Sequence, residues 1–267
     1  MKECIMLEFS RILKSKRTLA SLVFLGGIVL WHIISEVIPF SHFGNYGEDH
    51  ISLYRKWIGM DYISVQLSVY YFLLPLAISF PYGGSLRQDI DNHYIYQIVT
   101  RCGKKNYIKS KFFVSFITSG VLAIFPLVLD FILTALFLPA LSPQSSTFFY
   151  GQSSDSFLGD FFFICPLGYV VVYLIWNFLF LGLNSALSIS ATLFINKEVT
   201  CIYLPFLLYW LSYVITSTTQ TLTWCPFVFL MPAQIFSFYP LIPILELLFL
   251  LLCNIISYHL LKKREFI

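Results

Sequence analysis

Residues 85–111 read SLRQDIDNHYIYQIVTRCGKKNYIKSK and form a long polar run between two strongly apolar segments. Ser85 followed by Gln88 matches the capping-box pattern, which favours a helix start at Ser85. Apolar side chains then recur every fourth residue and would make one stripe on a helix, at Leu86, Ile90, Tyr94 and Ile98. Gly103 suits the helix end. The run predicts one amphipathic helix under a bilayer; the alternative is a solvated loop that only fixes topology.

The composition around this run is that of an integral membrane protein. The chain has 267 residues, of which 58% are hydrophobic and only 12% are charged, and its mean hydropathy is +0.77. Average soluble domains carry about 25% charged residues. The net charge of +3 does not indicate a nucleic-acid partner, because topology accounts for where the cations lie.

The apolar pattern predicts an all-α fold with six transmembrane helices in one domain, residues 1–267. The expected spans are about 18–39, 62–82, 112–138, 164–195, 201–217 and 241–261. Residues 2–17 are expected to form an amphipathic helix in the interface. The fourth apolar stretch is long for a bilayer, so we expect it either to break near Pro166 or to project beyond the lipid. Four prolines between residues 226 and 243 argue against an ordinary spanning helix and predict an outer re-entrant segment between spans five and six.

The placement of cations predicts the orientation. Fifteen of the 17 Lys and Arg residues fall on one side of the six spans, and Arg55 and Lys56 fall on the other. By the positive-inside rule both termini are cytoplasmic, in a plasma membrane of bacterial type. Tyr54 and Trp57 are expected to be anchors at the outer headgroup level.

No motif for catalysis is recognised. The sequence holds neither H-E-x-x-H nor G-x-x-x-x-G-K-[ST], so any ATP hydrolysis belongs to another polypeptide. His32 and Glu36 are spaced i, i+4 and could bind a metal with His42, Glu48 or His50, although an interfacial pair reaching for water explains them more simply. Cys165 and Cys225 fall on the same expected outer side and could pair or stay free.

Polar side chains inside the expected spans are candidate substrate-path residues. They are Asp130, Asn177, Asn184 and Glu246. A carboxylate at that depth costs about 2.5–3.5 kcal/mol on insertion scales, so each must face protein or water. For all four the alternative is a structural hydrogen bond to a neighbouring helix. Gly182, Ala186 and Ser190 form a small-residue seam suited to close helix contact.

The order of these features resembles the permease subunit of an ABC exporter of the ABC-2 type membrane family. The resemblance rests on the N-terminal amphipathic helix, on the basic cytoplasmic helix ending in Arg101, Tyr107 and Lys111, and on the proline-punctuated segment Trp224–Pro243. It spans nearly the whole chain.

The resemblance implies a pair of permeases, identical or sister chains, docked on cytoplasmic ATPase subunits that bind ATP and Mg²⁺. The helix after span two would be the coupling helix, with Leu86, Ile90 and Tyr94 toward the membrane domain. The positions implied to contact the ATPase are Arg87, Gln88, Asp89, Asp91, Asn92, His93 and Arg101.

The sequence therefore predicts a non-enzymatic transport subunit that exports an amphipathic or hydrophobic cargo by alternating access. The sparse polar lining favours a peptide, drug or lipid-like cargo over a small ion. Two alternatives stay open. One is an immunity or scaffold protein that binds a toxin through residues 40–61 and 139–165, and the other is an intramembrane enzyme.

Overall fold

The computed structural model of the chain describes residues 2–42, 51–143, 152, 156–233 and 239–264. Over these ranges the secondary structure is helical and contains no strand. A π-helical turn, Ile33–Val37, links α2 to α3. In chain order the helices are α1 (Lys2–Leu13), α2 (Lys16–His32), α3 (Ile38–His42), α4 (Leu53–Lys56), α5 (Val65–Ser79), α6 (Ser85–Asp91), α7 (Tyr94–Cys102), α8 (Lys104–Phe137), α9 (Gly159–Ile164), α10 (Pro166–Ala191), α11 (Glu198–Thr218), α12 (Pro226–Phe229) and α13 (Leu241–Lys263).

Five helices in the described ranges are long and apolar enough to cross a membrane. They are α2 with its continuation to Ser41, α8, α10, α11 and α13. This arrangement is that of a multi-pass membrane protein. The second expected span is shorter than predicted: α5 has 15 residues, or about 22 Å of helix.

The helix bundle has two ends that differ in charge. At the basic end, which holds α1, the start of α8 and the turn at residues 192–197, Arg17 contacts Glu198 and Arg264 donates to the carbonyl of Thr192 at 2.8 Å. At the opposite end, the Trp57 end, residues 51–64 meet residues 225–233, and the Ala233 N–H donates to the Gly59 carbonyl at 3.0 Å. The helices α2, α8 and α11 run away from the basic end, and α5, α10 and α13 return to it.

The pair α8 and α10 forms the centre of the bundle. A Cβ atom on Gly182 would lie 2.8 Å from the Phe116 carbonyl oxygen, and one on Gly120 would lie 2.6 Å from the Phe178 ring. The Phe116 and Phe178 rings pack edge to face, with their centroids 5.4 Å apart. The small-residue seam predicted on α10 therefore includes a glycine at a close helix crossing.

The predicted single helix after Gly84 is broken into two. His93 adopts a left-handed conformation with φ of 55°, which ends α6 and redirects the chain into α7. Asn, Asp and His adopt this conformation more readily than other side chains, and the break falls in the run Asp-Asn-His. The predicted capping box is wrong, because Gly84 is the N-cap and no side chain caps this end. Gly103 ends α7 at φ 77°, as predicted.

Tyr54 and Trp57 do not face outward as lipid-contacting anchors would. Both are buried, and the Trp57 indole donates to the Leu127 carbonyl at 2.9 Å. The Leu53 N–H donates to the Pro139 carbonyl at 2.9 Å. Residues 52–61 thus pack into the bundle, where burial of their apolar side chains against α8 is favourable.

Prolines mark two breaks in the helical structure. The chain breaks between Ile164 and Pro166, as predicted, and α10 starts with the proline at its first position. The segment after α11 is not one helix: it forms a 3₁₀ turn, Leu222–Trp224, and the short α12, and Phe229 is buried in the core. Residues 234–238 of the expected re-entrant segment lie outside the described ranges.

Candidate functional site

The elbow formed by α6 and α7, residues 85–102, presents polar side chains at its tip. Asp91, Asn92 and His93 are exposed, as is Arg101 at the far end of α7. Arg87 is only partly exposed, because its guanidinium donates to Asp91 at 2.5 Å and to Asn196 at 3.1 Å. The second bond connects α6 to the turn before α11. Four of the seven implied ATPase contacts are therefore accessible on this surface.

Asp89 does not face outward as the resemblance implied. It is 1% exposed, and its carboxylate lies 2.6 Å from the Lys111 ammonium, the Tyr107 hydroxyl and the Arg11 guanidinium. Asp89 follows Leu86 by three residues, so both share the buried face of α6. Of the expected inward stripe, Leu86 and Ile98 are buried and Ile90 packs against the same apolar cluster, whereas Tyr94 is 38% exposed.

Asp89 belongs to a cluster of four charges that we call the basic-end ion cluster, Glu8, Arg11, Asp89 and Lys111. The Lys111 ammonium lies 3.0 Å from Glu8, whose carboxylate also accepts from the Tyr82 hydroxyl at 2.8 Å. The cluster contains two acids and two bases, so its charge balances. It joins α1, α6 and α8, which places the elbow on a fixed base.

The cluster keeps Asp89 ionised. Burial alone would raise the pKa of Asp89, but the charge and hydrogen bonds of Lys111, Tyr107 and Arg11 outweigh burial and lower it below the ordinary value. A buried ion pair is justified only when each charge is paired and hydrogen-bonded, as here. Removing one partner therefore leaves an uncompensated buried charge.

A second set of charges lies at the other end of the bundle, and we call it the Trp57-end network. His32 Nδ1 lies 2.7 Å from Asp130, and its Nε2 lies 3.6 Å from Asp61. The Lys56 ammonium lies 2.9 Å from Asp61 and 3.1 Å from Glu36. The five groups form a chain from fully buried Asp130 to partly exposed Glu36.

Asp130 faces protein, as its depth required. Besides His32, its carboxylate accepts the Ile58 N–H at 2.8 Å, which attaches residues 51–64 to α8. Glu36 pairs with Lys56 rather than with His32. Among the residues that the structure describes, no group of His, Cys, Asp and Glu could hold a metal ion. The His42 side chain, Glu48 and His50 lie outside the described part of the chain.

The other substrate-path candidates are separate from Asp130. Asn177 is buried and donates to the carbonyls of Tyr173 and Leu230, at 2.9 and 3.0 Å, so it fastens α10 to the segment after α12. Asn184 lies about two turns further along α10 and is also buried. Its amide nitrogen donates to the Pro205 carbonyl at 3.5 Å. Glu246 is partly buried on α13. In the described ranges no hydrogen bond joins any two of these four candidates.

The expected outer cysteines do not pair with each other. Cys165 and Cys225 are free thiols, and a disulfide joins Cys4 of α1 to Cys102 of α7. Sequence spacing could not show this pair, because it depends on how α1 packs against the elbow.

Sequence reasoning missed the partners that complete both charge sets. They are Glu8, Arg11, Lys56 and Asp61. One signal was present: Glu8 lies four residues from both Cys4 and Ile12, and all three are buried along one stripe of α1. A carboxylate on such a stripe requires a buried cation. No protein-family model matches the chain, and no curated protein matches it either.

Proposed function

We propose that the chain is the membrane subunit of an ATP-driven exporter, a permease of the ABC-2 type. In this proposal α5 is a sixth, short crossing, which a locally thinned bilayer or flanking residues can accommodate. Its support is that α5 runs between the same two ends as the five longer helices. The basic end then faces the cytoplasm of a bacterial-type cell, with both termini on that side.

The observation that carries the proposal is the anchored elbow. Its exposed tip, Asp91–His93, offers a polar surface at the basic end, and the basic-end ion cluster fixes its base to α1 and α8. A soluble motor can move membrane helices only through an element that contacts both. A docked elbow would pass such motion directly to α8, which crosses the bundle to Asp130.

The proposed partners follow from what the sequence lacks. The sequence contains no phosphate-binding loop motif, so ATP and Mg²⁺ would bind to a separate ATPase. A second copy or a sister permease would complete the pathway. The proposed cargo is amphipathic or hydrophobic, since the polar candidates are few: Asp130 is paired with His32, and Asn177 donates to backbone carbonyls.

In this orientation the pair Cys4 and Cys102 faces a reducing compartment, where thiols stay reduced. Without the disulfide between α1 and α7, the ion cluster would still hold α1 against α6 and α8.

Affinity purification tests the proposal. The tagged chain, extracted in mild detergent from its native membrane, is expected to retain an ATPase subunit that mass spectrometry identifies and that hydrolyses ATP. Asn92→Glu at the elbow tip should reduce the recovered ATPase, and Thr221→Glu, an exposed substitution at the Trp57 end, should not. Purification of intact chain without any nucleotide hydrolase would contradict the proposal.

A further inference from the structure

A groove of about 350 Å³ opens on the side of the bundle between α8, α10 and α13. Its walls are apolar and come from Phe112 and Phe113 of α8 and from Leu251 and Ile255 of α13. Phe113, Leu251 and Ile255 are also exposed, so the groove opens laterally, toward where a bilayer would lie. A hydrocarbon chain suits these walls.

The mouth of the groove, at the basic end, carries two cations. Lys105 and Lys109 line it one turn apart on α8, and both are exposed. No carboxylate in the described ranges pairs with either, in contrast to Lys111 two residues further along. Both lie near the N-terminus of α8, whose helix dipole also favours an anion. The mouth is therefore suited to a phosphate.

Asn254, which lines the groove, carries a buried polar atom without a partner among the described residues. Asn254 is 8% exposed, and its amide nitrogen donates to the carbonyls of Leu183 and Leu250, at 3.0 and 2.8 Å. Its Oδ1 is buried and accepts no hydrogen bond from the described residues. An unsatisfied buried acceptor is unfavourable, so a ligand hydroxyl or N–H at this point would be stabilising.

The register of α8 and α13 fixes the depth of this atom. Lys104 donates to the Arg264 carbonyl, so the start of α8 lies level with the end of α13. Because the helices are antiparallel and rise 1.5 Å per residue, Asn254 lies about 7 Å deeper than Lys109. A ligand that contacts both Lys109 and Asn254 must therefore carry its hydrogen-bond donor deeper in the bundle than its phosphate, between the phosphate and the hydrocarbon chain.

We propose that this groove binds an anionic lysophospholipid from the leaflet at the basic end. Its phosphate would lie on Lys105 and Lys109, and its single acyl chain would follow the apolar walls. The free glycerol hydroxyl beside the acyl ester would donate to Asn254 Oδ1. A diacyl lipid has no free hydroxyl at this depth. The inference requires the bundle to be embedded in a membrane, and it does not depend on the transport role.

The test measures binding of lysophosphatidylglycerol to the chain in phosphatidylcholine nanodiscs. We expect saturable binding that is tighter than that of diacyl phosphatidylglycerol, lysophosphatidylcholine or glycerol 3-phosphate. The double variant K105Q/K109Q should bind about 30-fold more weakly, from about 1 kcal/mol per lysine near the membrane surface. The matched double variant K262Q/K263Q, with two other exposed lysines of the same end, should bind normally.

Asn254→Leu should remove the preference for the lyso form over the diacyl form. Because this substitution also breaks a contact between α13 and α10, Leu251→Trp serves as a second variant that fills the groove and should block binding of the lysolipid. Equal binding of lysophosphatidylcholine, or unchanged binding by K105Q/K109Q, would overturn the proposal. A wild-type protein that binds the diacyl lipid as tightly as the lyso form would also overturn it.

Discussion

His32 Nδ1 lies 2.7 Å from Asp130 Oδ1, and neither side chain is exposed to any extent. The two residues are 98 positions apart in the sequence, and their contact joins α2 to α8 within the apolar part of the bundle. The same carboxylate accepts the Ile58 N–H at 2.8 Å. One buried carboxylate therefore holds three separate parts of the chain together.

Asp130→Asn should destabilise the protein strongly. The substitution leaves His32 and the neighbouring charges without their buried partner, which costs about 3–5 kcal/mol when one member of a buried pair is removed. The measurement is the free energy of unfolding in detergent micelles. Ile132→Val, an exposed apolar change two residues away, is the control. Equal stability of Asp130→Asn and the control would show that the contact contributes little.

Asp61 should make stability depend on pH on the acid side. Burial acts to raise the pKa of Asp61, but the His32 imidazole 3.6 Å away and the Lys56 ammonium 2.9 Å away together lower it below the usual 3.8. A carboxylate with a lowered pKa stabilises the fold above its unfolded pKa, and the contribution is lost as the pH falls through the folded pKa. The difference in melting temperature between wild type and Asp61→Asn should be full at neutral pH and shrink below about pH 4. A difference that stays constant down to pH 3 would contradict this account.

Lys111→Met should loosen the basic end. It removes the cation that faces both Glu8 and Asp89, so two buried carboxylates are left with Arg11 alone. We expect a loss of about 3–5 kcal/mol in the free energy of unfolding. Combining it with Asp89→Asn removes one of the uncompensated charges, so the double variant should be more stable than the sum of the single losses predicts. Simple additivity would mean that the two groups do not interact.

Gly182→Ala should cost stability because the new methyl group meets the Phe116 carbonyl oxygen at 2.8 Å, and backbone cannot move aside cheaply. Overpacking of this kind typically costs about 1–3 kcal/mol. Gly27→Ala is the matched control, since a Cβ there meets nothing within 4 Å and alanine favours a helix. The measurement is the thermal unfolding temperature of both variants. A Gly182→Ala protein as stable as the Gly27→Ala protein would contradict the close contact between α8 and α10.

Hydropathy and proline positions predicted much of the helical architecture. The bounds of α10, α11 and α13 lie within about four residues of those expected, α8 begins about eight residues earlier than expected, and the break before Pro166 is present. These features are local: an apolar run of about 20 residues forms a helix in lipid whatever surrounds it. The elbow break at His93 was missed because a left-handed residue depends on how the two short helices pack.

Charge partners could not be predicted in the same way. Asp89 was assigned to the outer face because the helical repeat of apolar residues cannot tell whether Leu86 shares its buried face with Ile90 or with Asp89. Its true face is set by Lys111 and by Arg11, the latter 78 residues earlier in the chain. Trp57 was assigned to the interface for a similar reason: a tryptophan beside Arg55 and Lys56 resembles an anchor until the segment is seen folded inward.

Site-specific photo-crosslinking at the elbow tip tests the central claim most directly. A photoreactive amino acid replaces Asn92, exposed at the basic end, and a second protein carries it at Tyr62, exposed at the Trp57 end. After irradiation of intact cells, the account predicts an adduct between the Asn92 variant and a cytoplasmic ATPase, and none for the Tyr62 variant. If the Asn92 variant inserts normally and crosslinks to no ATPase, or if labelling from outside the cell reaches this position, the elbow is not the docking element that we propose.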